Sequence, residues 1–208
     1  VLLNDDLIID AGSLDRAINI LNNNQEISIV GSRLRTSSGN ISHAGLLFDE
    51  QYTAYNRFRA DDLGLLLDCI GDHTSQSCFV PAVTGAYMVL RKQDFLDVKF
   101  RETFSVCGED IALCLDLYKQ KRRLPFYEAT VTGIHDERST RGFTPELEDR
   151  IQLSQIARSI ISHEPELVEL CRQRTCEESR AIWFITQNQR SQLNTCNIES
   201  IQLQEHLR

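Results

Sequence analysis

The chain has 208 residues, enough for one domain with a proper core or for one domain plus a helical appendage. Hydrophobic residues make up 41% and charged residues 25%, a soluble globular balance, and no run reaches the ~18 apolar residues of a transmembrane helix. A net charge of −8 argues against a general binder of nucleic acid or anionic membrane, and any anionic ligand would need a local cation or a metal.

Val1-Leu2-Leu3 reads as the end of a buried strand running straight into Asn4-Asp5-Asp6, an opening expected of a chain that lacks its front. Gly12-Ser13 then starts a helix with Leu14, Ala17, Ile18 and Leu21 on one face, ended by Asn22-Asn23-Asn24. Ile27 to Val30 is a short apolar run closed by Gly31, the pattern of a buried strand. Arg33 to Leu47 predicts a hairpin turning at Ser38-Gly39-Asn40. Tyr52 to Ser77 is polar and weakly patterned, a surface excursion with a short helix near Leu63 to Ile70. Ala86 to Leu90 is a strand passing into a helical turn at Arg91 to Phe95. A helix is predicted from Ile111 to about Lys121, and a strand from Phe126 to Val131. From Pro145 the pattern is helical, with Leu147, Ile151, Ile156 and Ile160 about a turn apart, and a second helix follows Pro165. Strands alternating with helices give an α/β domain with a helical C-terminal extension.

The seven cysteines are odd in number and form no Cys-x-x-Cys pair, so the reading is reduced thiols in a cytosolic protein. Asn40-Ile41-Ser42 matches a glycosylation sequon, a pattern that arises often by chance.

Few residues carry chemistry. Asn4-Asp5-Asp6 follows a strand, where α/β folds place ligand-binding groups. Adjacent carboxylates in a crevice call for a cation, although an aspartate there also serves as a turn or cap residue. Gly108-Glu109-Asp110 sits at a helix start, which suits either an N-terminal acidic cap or a general base. His135-Asp136-Glu137-Arg138-Ser139 follows a strand, so His135 is either a metal ligand or a solvated loop residue. Gly85, in Val83-Thr84-Gly85-Ala86, either begins a plain strand or lets backbone approach a ligand closely.

In their order these segments resemble a known family. Leu2-Leu3-Asn4-Asp5-Asp6 is similar to the metal-binding aspartate motif of family-2 glycosyltransferases, particularly the rhamnosyltransferase-like branch. Ile29 to Leu34, Gly39 to Gly45, Val83 to Ala86 with Leu90 to Lys92 and Phe95, then Phe104 with Gly108 to Cys114, and last Tyr127 to Ala129 with His135 to Ser139, resemble that branch's later segments. The similarity covers about residues 1 to 142.

This resemblance implies that residues 1–142 are the C-terminal, metal- and acceptor-binding portion of a GT-A (Rossmann-like) domain, with residues 143–208 as the helical extension. It implies Asp6 and His135 as metal ligands for manganese or magnesium, and Asn4, Asp5, Thr84 and Gly85 as substrate-binding residues. Asp110 would be the catalytic base, with Glu109 beside it on the acceptor side. The implied reaction is inverting transfer of a sugar from a nucleotide-diphosphate donor to a hydroxyl of a glycan, lipid-linked or protein acceptor. The protein would work in the cytoplasm or at the membrane surface, as a monomer or homo-oligomer, in glycan or cell-surface polysaccharide synthesis. The nucleotide-binding front of the family has no counterpart here, so this chain alone is expected to be inactive. Two positions depart from the family: Ala112 stands where another acid is usual, and Asp116 where an arginine is usual. Those departures support an alternative, a binding module that kept the fold and lost turnover. A further alternative is a scaffold whose helical tail, with its lone Trp183, binds a partner rather than packing on the parent domain.

Overall fold

The computed structural model describes residues 1–58, 73–136 and 146–206, with side chains on the last helix up to residue 188. The helix expected near Leu63 to Ile70, residues Glu137 to Ser139 of the histidine run, and position 142 lie outside the described residues.

The fold is mixed α/β, built on β3 (Ile27–Arg35) and β9 (Leu124–His135), which run parallel at the centre of a seven-stranded sheet. Ile27, Ile29, Val30 and Leu34 on β3, and Tyr127, Ala129 and Val131 on β9, are buried, as strands covered on both faces require. β8 (Tyr87–Leu90) and β4 (Ile41–His43) share the outer edge of β3. β2 (Leu7–Ile9) and β7 (Cys78–Phe79) share that of β9. All of these run antiparallel to their neighbours, and β1 (Leu2–Leu3) closes one side by pairing with β8. β5 (Leu46–Phe48) and β6 (Ala54–Asn56) form a separate two-stranded sheet.

Helix α1 (Ser13–Asn23) covers one face, burying Ala17 and Leu21 against Val30, Leu34 and Val89. Arg91 closes this layer by donating to the carbonyls of Leu21 and Asn24, at 2.8 and 2.9 Å, and to Ile27 O at 2.7 Å. A cation there answers carbonyls left over at a helix C-terminus. The short α2 (Lys92–Val98) follows β8. On the other face lies α3 (Glu109–Lys121), with Ala112, Leu113, Leu115 and Leu117 fully buried. Outside it pack α4 (Leu147–Ile161) and the start of α5 (Pro165–His206), whose Leu153, Ala157, Ile160, Leu167 and Leu170 share the same cluster. No helix among the described residues is long and apolar enough to cross a membrane.

Several expectations change. Val1 to Leu3 is no buried strand, because β1 is paired on one side only and Leu3 is 47% exposed. Gly31 does not end β3. It lies under Val83, whose Cγ1 would be 2.4 Å from any Cβ added there, so the glycine admits a crossing segment. The hairpin closes as far as His43, after which Gly45, at φ +95°, turns the chain out of the main sheet and into β5. Ile18 points to solvent, leaving α1 a narrower apolar stripe than expected. The described ends of the Tyr52 to Ser77 stretch are no surface excursion, since β6 lies there and Phe58 is buried against Ala181 and Ile185 of α5. In α4, Leu147 and Ile151 are 65% and 51% exposed, while Leu153, Ala157, Ile160 and Ile161 face the core. Asp149 sets that rotation by accepting N–H bonds from Ser105, Val106 and Cys107 at 2.6–3.1 Å. Trp183 is 58% exposed against Phe184, so α5 docks through its smaller neighbours.

Candidate active site

The sequence separates Asn4-Asp5-Asp6 from Gly108-Glu109-Asp110 by about a hundred residues, and the sheet edge brings them together. Pairing of Leu3 with Tyr87 carries β1 past the start of β8, where Asn4 N–H donates to Ala86 O at 3.0 Å. One residue before Ala86, Gly85 N–H donates to Asp110 Oδ2 at 2.6 Å. Both acidic motifs are therefore bonded to a single short turn, Thr84-Gly85-Ala86.

At the first motif, the end of β9 delivers His135. It is a buried strand residue rather than a loop residue, and β2 fixes it through the pairing of Leu7 with His135. Its Nε2 lies 3.1 Å from Asp6 Oδ1 and 3.3 Å from Asn4 Nδ2. One ring nitrogen cannot both donate to a carboxylate and accept from an amide N–H. With the proton on Nε2 the ring serves Asp6; with the lone pair there it serves Asn4. Asp5, like Asn4, is exposed. Among the described residues, no three His, Cys, Asp or Glu side chains gather as a metal site. Asp6 and His135 thus form a two-donor set. Their separation suits neighbouring ligands of an octahedral ion, which at about 2.1 Å from the metal stand about 3 Å apart. Such an ion would take its remaining oxygens from a ligand or water.

At the second motif, α3 starts at Glu109, two residues earlier than expected, with Gly108 at φ +102° as its N-cap. Asp110 accepts from Ile111 N–H at 2.8 Å as well as from Gly85. These two bonds orient the Asp110 carboxylate. A Cβ at Gly85 would stand 3.0 Å from Asp110 Cβ, so a side chain there would push the acid aside. Glu109, beside it on the helix, is half-buried. Thr84 Oγ1 accepts from Ala86 N–H at 3.3 Å, bracing the turn.

The structure adds His43, which lies within the Gly39 to Gly45 stretch. It is 1% exposed, with Nδ1 2.8 Å from Asn56 Oδ1 and Nε2 3.3 and 3.4 Å from the N–H groups of Gly45 and Thr84. Burial pushes its pKa down to about 4, Asn56 opposes that shift, and nearby His135 adds to it. Its only sequence signal was a lone histidine beside small residues at a strand end. The two departures from the family pattern have structural occupations. Ala112 packs in the core, and Asp116 forms a two-pronged ion pair with Arg101 at 2.7 Å.

No family model matches the chain. Over 143 residues, 68% of this chain, it is 30% identical to the O-antigen biosynthesis protein RfbC of Myxococcus xanthus. The matched stretch is 11% of that relative, so the chain spans about a tenth of its length.

Proposed function

We propose that this chain is the metal- and acceptor-binding part of an inverting GT-A-type family-2 glycosyltransferase working in polysaccharide synthesis. The observation that carries the reading is the Thr84-Gly85-Ala86 turn, with Asn4 bonded to one end and Asp110 to the other. A transferase of this kind needs a diphosphate-binding end close to a proton-accepting end, and the bonding of both motifs to this one turn supports the reading. The name of the relative points the same way.

In this reading Asp6 and His135 hold manganese or magnesium, which supplies charge neutralisation for the departing diphosphate. Asn4 and Asp5 lie toward the ribose, and Thr84 and Gly85 line the acceptor side. The acceptor oxygen bonds to the anomeric carbon as the bond from that carbon to the diphosphate oxygen breaks. The diphosphate leaves with the electron pair, and the acceptor's proton passes to Asp110. The carboxylate suits that role because the Gly85 and Ile111 N–H groups fix its orientation.

The test is manganese-dependent release of nucleoside diphosphate from a panel of UDP-, GDP- and dTDP-sugars by the full-length protein. Activity with at least one donor, abolished by chelation and by Asp6→Ala, is expected. No metal-dependent turnover of any donor, with the folded protein intact, would overturn the reading.

A further inference from the structure

We propose that His43 is a positioning residue for Asp110: it holds the Val83–Thr84 peptide so that the next N–H along the chain, that of Gly85, is delivered to the carboxylate. The inference deepens the reading above and rests on it for the role of Asp110.

The hydrogen bonds of the ring determine its tautomer from both ends. Nδ1 faces an amide oxygen, an acceptor, so it carries the proton. Nε2 faces two backbone N–H groups, both donors, so it presents its lone pair. Only the neutral Nδ1–H form satisfies all three partners, and burial at the protein's interior favours the same form.

The Val83–Thr84 peptide is a rigid plane held at two points. Its N–H reaches His43 Nε2, and its carbonyl oxygen takes a contact from Cys114 Sγ at 3.7 Å on α3. Two glycines press the preceding segment into place. A Cβ at Gly45 would stand 2.9 Å from Val80, and one at Gly31 would overlap Val83. With that plane fixed, the next peptide has little freedom, and its N–H meets Asp110 Oδ2 at 2.6 Å. Successive amides thus bind a histidine on one side and an aspartate on the other. His43 touches no group that would react, so its effect on chemistry passes through Gly85.

The experiment follows the Gly85 amide by ¹H–¹⁵N NMR in the wild type, His43→Gln and His43→Leu, and measures transfer by the full-length protein with the donor that the panel identifies. Glutamine places an oxygen near the Nε2 position and can accept from Thr84; leucine cannot. The Gly85 amide proton should lie well downfield and follow the ionisation of Asp110 in the wild type and in H43Q, and lose both properties in H43L. kcat should fall at least about tenfold in H43L with the donor KM within about twofold, and H43Q should recover most of the loss. If H43L does not fold, His43→Asn, polar but too short to reach Thr84, takes its place with the same expectation. A folded H43L or H43N with an unmoved Gly85 amide and normal kcat overturns the proposal. So does an equal loss in H43Q and H43L. Failure of the glycosyltransferase reading would show separately, as an absence of metal-dependent turnover while the Gly85 amide still responds to His43.

Discussion

The two acidic motifs bonded to the Thr84-Gly85-Ala86 turn balance charge in different ways. At the Asp110 end the fold does the work: the carboxylate rests on two backbone N–H groups, and the turn that supplies one of them is braced by a buried histidine and a glycine that leaves no room for error. At the Asp6 end a carboxylate and an imidazole face each other at the sheet edge, beside an exposed asparagine and an exposed aspartate. In the proposed reading the first is a pre-organised acid-base site. The second, in the same reading, is a two-donor set that a divalent ion and its own ligand would complete. Substitutions at the first should therefore change rate at constant binding, and at the second should change binding at constant fold.

The largest expected effect is at the pre-organised end. Asp110→Asn keeps the size and one acceptor, and places an NH2 where the second N–H bond was. The loss of stability should be about 1 kcal/mol, a few degrees in Tm. An amide cannot take the acceptor's proton, so transfer should fall by at least about a hundredfold, while donor affinity stays level. Measuring kcat, donor binding and Tm on the same sample decides it. Parallel loss of binding and rate would mean that the two ends are not separable.

The Asp6 end should break the other way. Asp6→Ala removes a half-buried carboxylate from the face of His135 without touching the core. Losing even an outer-shell partner of a metal typically costs about 10- to 100-fold in affinity, so removing a ligand should weaken manganese-linked donor binding at least about tenfold. Titration calorimetry with and without manganese tests this. Donor binding with unchanged metal dependence would make Asp6 a turn residue only.

How far the sequence reached follows the same division. Local signals were legible: the α1 and α3 starts at glycine, the β8 strand into α2, and the acidic runs at element ends. The meeting of the two acidic motifs was not, because it depends on β1 pairing with β8, and three apolar residues at a chain start carry no register. The residues gathered by tertiary contact were also hidden. Asp149 binding three N–H groups rotates α4 away from its own apolar periodicity, and Gly31 looks like a strand terminator until Val83 is placed above it. His43 was hidden for the same reason, since two of its partners, Asn56 and Thr84, lie on other segments.

A smaller effect, on stability alone, sharpens the contrast at His43. Its folded pKa is pushed down to about 4, against about 6.5 when unfolded. Above pH 6.5 neither state binds the proton. Between about 6.5 and 4 the unfolded chain binds it and the folded chain does not, so stability falls as pH drops through that window, by up to about 3 kcal/mol. His43→Gln cannot titrate and should lack this component. Urea midpoints at pH 7 and pH 5 for both proteins isolate it, because the carboxylates they share cancel in the difference. Equal pH dependence in the two would mean that His43 charges in the folded state.

The smallest expected effect is at Glu109, and it fixes which acid is the base. Glu109 occupies the first position of α3, where a negative charge gains about 0.3–1 kcal/mol from the helix dipole. Glu109→Gln gives up that gain and no more, a shift of roughly one to four degrees in Tm. Asp110 alone of the two has its carboxylate on Gly85 N–H, inside the turn that also holds Asn4. A proton accepted at Asp110 is therefore accepted at the junction of the two ends, whereas Glu109 in this reading helps to orient the acceptor. Transfer in Glu109→Gln should fall by less than about tenfold, below the lower bound expected for Asp110→Asn. Assayed side by side, the two variants discriminate more sharply than either alone, because both remove one negative charge from the same helix turn and so share the dipole effect. If Asp110→Asn transfers nearly normally while Glu109→Gln loses a hundredfold or more, the base is one residue earlier, and the Gly85 bond serves only to cap α3.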